Sequence, residues 1–313
     1  MTTPAPWLAS GPFTVSILDR IGNTPLVRLE RITRGVVPAG VEVWAKLEWF
    51  NPGGSVKDRA AYNIIHSMET AGHIGPDTVL LDSSSGNTGI AYGMICAIRG
   101  YSLTLCLPKN ANRERKRILR AYGVQIVETD PLEGSDGAIR MAKKLVADNP
   151  GKYLYLDQYG NEANPRAHEL GTAEEIWAQT GGRVTHWVAT LGTSGSFMGT
   201  TRGLKKKNAA IQCISVQPDS PFHGLEGLKH MESAIVPAIY DPALADRDLG
   251  APTEPCIELR KRLAREEGIL AGVSAGAALW GAMEVARGLQ SGVVVTLFPD
   301  SGERYISEDH LWD

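Results

Sequence analysis

Cysteine is scarce in this chain: Cys96, Cys106, Cys213 and Cys256 are the only four among 313 residues, with no CxxC pair and no histidine nearby at ligand spacing. Neither a zinc site nor a disulfide framework is expected, and a reducing, cytoplasmic setting fits. Long apolar runs are also missing: no stretch reaches the ~18 residues that a membrane span requires. Residues 1–10 carry neither a basic start nor a long apolar segment, so no export signal is expected. Positive charge is not in excess. Thirty-two Lys and Arg stand against 35 Asp and Glu, a net charge of −3. That balance argues against a nucleic-acid or anionic-membrane binder, which needs cations to neutralise phosphates. Repeats, low-complexity tracts and linkers are absent, as are GxGxxG and a Walker loop, which counts against nucleotide cofactors.

What is present is an ordinary globular composition, 43% apolar and 21% charged, in a chain long enough for two compact units. Short β-type runs alternate with helix-length amphipathic stretches, the pattern of mainly parallel sheets covered by helices. Strands are expected at 41–47, 78–81, 102–106 and 124–128, the four forming one unit, and again at 185–190, 211–216 and 293–298. Helices are expected at 56–72, 87–98, 112–122, 197–205, 256–267 and 275–287. The segment 217–252, with five Pro and three Gly and no single period, reads as a long functional loop.

Three loops follow a strand and open a helix, where open α/β sheets bind ligands. Gly192-Thr193-Ser194-Gly195-Ser196 offers backbone N–H groups, hydroxyls and a helix N-terminus, a combination suited to a phosphate, although an ordinary helix entry has the same look. Ser83–Gly89 offers hydroxyls and the Asn87 amide to a carboxylate or ring hydroxyl; N-capping by Ser85 or Asn87 is the plainer alternative. Asn51–Arg59 puts Lys57 in the first turn of a helix, where the dipole disfavours a cation and lowers the amine's pKa, a help to a nucleophile or base. The basic cluster 113–117 reads as a solvated helix face, and His168 as a packed or capping histidine.

Asn51–Arg59, Ser84–Gly89, Gly192–Ser196 and Pro299–Tyr305 (Pro-Asp-Ser-Gly-Glu-Arg-Tyr) resemble, in order, the four signature segments of the cysteine synthase and cystathionine β-synthase family, the fold-type II pyridoxal-phosphate enzymes. The segments 21–26, 158–161 with Asn164-Pro165, and 268–276 add to the resemblance, which spans nearly the whole chain. It implies two intimately packed, doubly wound α/β domains: a smaller mobile one at 42–150 carrying the Ser84–Gly89 loop, and a larger one at 1–41 with 151–313. It also implies pyridoxal 5'-phosphate as cofactor, no metal, and a homodimer.

The family's roles fall on Lys57 for the Schiff base and α-proton transfer, Asn87 for the cofactor's ring hydroxyl, Gly192, Thr193, Ser194, Gly195 and Ser196 for its phosphate, and Ser301 for the pyridine nitrogen. The amino-acid carboxylate would sit against Ser84, Ser85, Gly86, Thr88 and Gln158. Ser194 and Ser196 depart from the usual Gly or Thr and Thr, and Gln217 stands where an acid is common. The implied reaction is a β-replacement through an aminoacrylate, joining an O-activated L-serine to a sulfur donor. The segment 224–242 is most similar to the branch that accepts O-phosphoserine and takes sulfur from a small carrier protein, with Lys229 where that branch has an Arg facing the substrate phosphate. A cystathionine β-synthase core enzyme is the second reading, set back because the chain shows no haem segment or regulatory module. A distant third is a serine hydrolase built on Gly272-Val273-Ser274-Ala275-Gly276 with Asp300 and His310.

Overall fold

The computed structural model describes residues 16–308; His310, the first 15 residues and the last five lie outside them. Among the described residues ten strands build two sheets: β1 Leu26–Arg28, β2 Gly40–Leu47, β3 Val79–Ser83, β4 Ser102–Pro108, β5 Gln125–Thr129, β6 Tyr153–Tyr155, β7 His186–Thr190, β8 Gln212–Pro218, β9 Arg247–Ala251 and β10 Ser291–Phe298. The larger sheet has the order β1-β2-β10-β7-β8-β9 and the smaller β5-β4-β3-β6. Every pairing is parallel except that of β1 with β2. The helices are α1 Lys57–Thr70, α2 Asn87–Arg99, α3 Arg113–Ala121, α4 Gly134–Asp148, α5 Ala163–Ala167, α6 Ala173–Gln179, α7 Gly195–Lys207, α8 Thr253–Glu267 and α9 Val273–Arg287.

One strand assignment by unit is corrected and one strand is added. The strand at 40–47 lies in the larger sheet, paired along its whole length with β10, and the smaller sheet takes its fourth strand from β6 at 153–155. Periodicity identifies a strand but not its neighbour, and the boundaries at 42 and 150 inherited that gap. Within 217–252 the structure adds β9, an edge strand whose residues are mostly exposed and so show no apolar alternation. The segment 113–117 is a solvated face only in part: Arg113, Glu114 and Arg117 are exposed, but Arg115 and Lys116 are buried.

Apolar packing covers both faces of the larger sheet. Helices α8 and α9 supply Leu259, Leu263, Leu279 and Met283 on one side, and α6 and α7 supply Ile176, Phe197 and Met198 on the other. The smaller sheet packs on α2 and α3 through Ile90, Ile95 and Leu119, joined by Ala61, Ile64 and Ile65 of α1. Thus α1 begins against β10's exit, where Val56 N–H donates to Pro299 O at 2.9 Å, and ends in the other unit's core. Lys57 therefore stands between the two units, in a cleft at the carboxyl ends of β3, β7 and β10, the usual place for ligands on such sheets. Among the described residues no helix is long and apolar enough to cross a membrane.

Candidate active site

The floor of the cleft is the loop after β7. Ser194 adopts a left-handed conformation, φ 68°, just before α7, a geometry that costs a non-glycine residue about 1–2 kcal/mol. Such strain tends to gather at functional sites. Its Oγ is buried without a hydrogen-bond partner, and the first-turn N–H groups of α7 point the same way by helix geometry. Space there is reserved: a Cβ on Gly195 would come 2.0 Å from Asn164 Oδ1, and one on Gly192 would come 2.4 Å from Gly227 O. Asn164 is itself fixed, its Nδ2 donating to Gln158 O at 2.8 Å and to Thr193 Oγ1 at 3.3 Å. An orphaned hydroxyl, free N–H groups and a small-residue floor fit the phosphate of pyridoxal phosphate.

Lys57 faces this floor from the first position of α1, and a buried ion network fixes its helix. Arg59 donates to Glu48 at 2.7 and 3.0 Å and to Glu175 at 2.6 and 2.8 Å, while Lys46 meets Glu175 at 2.7 Å. Burial raises the pKa of Glu175, but the bond and charge of Arg59, with Lys46, outweigh it and hold the carboxyl at about 2. Burial pushes the Lys57 amine below its ordinary value, with the Asp300 and Glu48 carboxylates pulling the other way. The helix dipole inferred from sequence is thus joined by burial as the main cause. A neutral amine is what a nucleophile or general base requires.

Opposite Lys57 stands Asp300, to which the sequence gives a part only in the hydrolase triad. Its Oδ2 accepts from Asn87 Nδ2 at 2.6 Å and from the Tyr305 hydroxyl at 2.7 Å, while Oδ1 is buried without a partner. Burial raises its pKa; the bonds from Asn87 and Tyr305 work against that. Arg304 donates to the Asn87 Oδ1 and to Gly53 O. Asn87 is therefore held at both ends of its amide by the Pro299–Tyr305 segment. Lys57, Asn87, Gly192, Thr193, Ser196, Ser274 and Asp300 line one narrow recess of about 50 Å³. Ser301 is one step aside: its Oγ accepts from Glu303 N–H at 3.3 Å and lies 3.5 Å from Leu270 O.

The second loop forms one wall of a wider cleft of about 320 Å³ that shares Lys57, Asn87, Gly192 and Thr193 with the recess. Helix α2 has Gly86 as its N-cap and no capping side chain, so neither Ser85 nor Asn87 caps it. Ser84 Oγ instead accepts from Gly89 N–H at 3.0 Å and from Gly86 N–H at 3.3 Å, which shapes the loop. Ser84, Ser85, Gly86, Thr88 and Gln158 all line the cleft. Thr88 and Gln158 are already engaged: the hydroxyl donates to Gln158 Oε1 at 2.7 Å, and Gln158 Nε2 donates to Ser83 O at 2.8 Å. The dipole end of α2 and the hydroxyls of Ser84 and Ser85 make this wall suited to a carboxylate.

The rim carries charges of which the sequence singles out only Lys229. Arg115 donates to Glu226 at 2.5 Å and lies 5.2 Å above the Tyr305 ring. Lys229 lies 4.0 Å from Asp136 and 5.1 Å above the Tyr159 ring, and burial lowers its pKa. Arg115 was hidden inside a run of basic residues that looked like solvent-facing charge. The hydrolase reading finds little here, since Asp300 binds Asn87 and Tyr305 rather than a histidine and its third member lies outside the described residues. His168 is buried, Nδ1 lying 2.9 Å from Thr172 Oγ1, and burial first, with Arg59, drives its pKa to about 3. Among the described residues no group of three or more His, Cys, Asp or Glu could hold a metal ion.

Comparison with known proteins agrees with this geometry. The family model "Pyridoxal-phosphate dependent enzyme" matches residues 17–300. The chain is 49% identical over 296 residues to the cysteine synthase of Aquifex aeolicus, covering 93% of this chain and 90% of that one. It is 41% identical over 292 residues to cysteine synthase B of Pseudomonas aeruginosa, covering 93% and 96%. The crystal structure of a cysteine synthase from Entamoeba histolytica aligns with a TM-score of 0.92 at 33% identity, covering 100% of this chain and 94% of that one. A phosphate-shaped floor, a lysine with a lowered pKa and a match over nearly the whole chain lead to one conclusion: the chain belongs to the pyridoxal-phosphate dependent enzyme family, among its cysteine synthases.

Proposed function

We propose that the protein forms L-cysteine from an O-activated L-serine and a sulfur donor by β-replacement. The observation that carries this reading is the Lys57 amine, its pKa lowered, set between a floor suited to a phosphate and a wall suited to an α-carboxylate. Pyridoxal phosphate, held by the 192–196 loop and attached through Lys57, supplies the electron sink that acidifies the substrate's Cα–H. Lys57 Nζ takes that proton. The N-terminus of α2 with Ser84 and Ser85 holds the α-carboxylate and so orients the Cα–H toward the lysine. Asn87, clamped by Asp300 and Arg304, presents its amide to the ring hydroxyl, and Ser301 gives the pyridine nitrogen a neutral partner. A hydroxyl does not keep that nitrogen protonated as a carboxylate would, which favours elimination and replacement over transamination.

The leaving group in this reading is phosphate. Lys229 lines the cleft and its nearest carboxylate, that of Asp136, is 4.0 Å away, so its charge is open to a substrate anion. The donor is sulfide or the thiocarboxylate of a carrier protein, the enzyme is a cytoplasmic homodimer, and the smaller unit moves against the larger as substrate enters. The test is L-cysteine formation by purified protein from O-phospho-L-serine and from O-acetyl-L-serine with sulfide, alongside the visible absorbance of bound cofactor. Lys57→Ala is expected to lose that absorbance and at least ~10³-fold in turnover, because anchor and proton carrier vanish together. Near wild-type turnover by Lys57→Ala would overturn the assignment, and a wild-type enzyme inert to O-phosphoserine would overturn the choice of leaving group.

A further inference from the structure

Four charged side chains meet across the mouth of the cleft with alternating sign. Arg115 on α3 and Asp136 on α4 come from the unit of the smaller sheet; Glu226 and Lys229 come from the loop between β8 and β9 of the larger. Their environments differ. The Arg115 side chain is 10% exposed, stacked over Tyr305, with its Nε buried and without a partner. Glu226 is 41% exposed on its loop. The cation is built into the wall, whereas its carboxylate reaches in from the rim and can swing back to water at small cost. Both line the cleft that contains Lys57, Ser84 and Ser85.

Resting on the cysteine-forming reading, we propose that Arg115 binds the anionic leaving group of the amino-acid substrate, and that Glu226 is a resident counter-anion which that group displaces. The charges agree. With Glu226 in place, Arg115, Lys229, Glu226 and Asp136 sum to zero; with Glu226 displaced they sum to +1, so the exchange opens a net positive charge to the incoming anion. The chemistry agrees as well, because a guanidinium presents parallel N–H donors that fit phosphate oxygens, and its unused Nε–H completes such a fork. Exchanging one oxyanion for another leaves the buried cation paired throughout, so neither state contains an isolated charge.

The rival explanation is that the Arg115–Glu226 pair simply ties the two units together. Inorganic phosphate, used as a competitor against O-acetylserine, separates the two, together with the ratio of kcat/KM for O-phosphoserine over O-acetylserine. Glu226→Gln, at a half-exposed position, is expected to strengthen phosphate inhibition about tenfold and to raise the ratio; Arg115→Gln is expected to weaken inhibition and lower the ratio by about tenfold or more. The double variant should follow Arg115→Gln. A simple tie would change both esters equally and leave phosphate competition unmoved, and that result overturns the proposal. Should Arg115→Gln not fold, Glu226→Gln alone decides, since failure to tighten phosphate is then sufficient refutation. If the wild type turns over neither ester, the cysteine-forming reading fails, while calorimetric titration of the holoenzyme and of Glu226→Gln with inorganic phosphate still reads the anion site separately.

Discussion

The two strand–loop–helix turns that face each other across the cleft share a design and differ in rigidity. At the floor, residues 192–196 are locked: a Cβ at Gly195 would collide with Asn164, and one at Gly192 with the backbone of Gly227. At the wall, an added Cβ on Gly86 would meet nothing within 4 Å, and α2 starts without a capping side chain. The floor is organised by packing that leaves one conformation, suited to a cofactor that stays. The wall leaves open space beside its backbone, suited to a substrate that comes and goes. The same distinction separates α1, held by the buried Arg59 network, from the rim, where the partners of Arg115 and Lys229 are partly exposed.

If the floor is rigid, Gly195→Ala should have the largest effect. Asn164 cannot yield easily because it holds Gln158 and Thr193, so overpacking is expected to cost about 1–3 kcal/mol of stability. Cofactor affinity should fall at least about tenfold, read by fluorescence titration with pyridoxal phosphate. Retention of wild-type affinity would show that the floor adapts.

A pair of variants sharpens the line between floor and wall. Asn87→Ala removes one of the two bonds to Asp300 Oδ2 and should change the visible spectrum of the holoenzyme and weaken cofactor binding several-fold. Ser85→Ala should leave the spectrum alone and raise KM for the amino acid, as expected where one hydrogen bond of about 1 kcal/mol is lost. The same spectral response in both would erase the boundary drawn between these neighbours.

The smallest change expected in the fold is that of Gly86→Ala. Its backbone, at φ −118° and with space around it, accepts a methyl group, so thermal stability should stay within about 0.5 kcal/mol of wild type. Because the methyl enters the cleft, KM for the amino acid should rise several-fold while cofactor binding stays constant. A fall in stability as large as that of Gly195→Ala would end the contrast between the two loops.

Much of this was legible in the chain. The strands β3, β7 and β10 and the helices α1, α2, α7 and α9 were found within a few residues because their apolar period is set by one-sided burial, as in α1, whose Ala60 and Ile64 recur at helical spacing, whereas α4, which also borders the cleft, was missed. The four motif segments pointed to Lys57, Asn87 and the 192–196 loop, and the structure brings these to one recess with Asp300. Arg115, Glu226 and Tyr305 were not legible as a group. They lie on α3, on the loop before β9 and after β10, and nothing in the local pattern of any one of them signals the others. The assignment of β2 to the smaller unit failed for a related reason, since its partner β10 is more than 200 residues away.

The chemistry this chain can perform was therefore carried by its sequence: a lysine opening a helix, glycines and hydroxyls before another, and no metal-ligand or nucleotide signature to compete with them. Only the tertiary structure decided the lysine's basicity, the clamp on Asn87 and the pairing of Arg115 with Glu226. Those depend on burial and on charges brought together from distant segments, and the energy of a charge is a property of its surroundings, which periodicity does not encode.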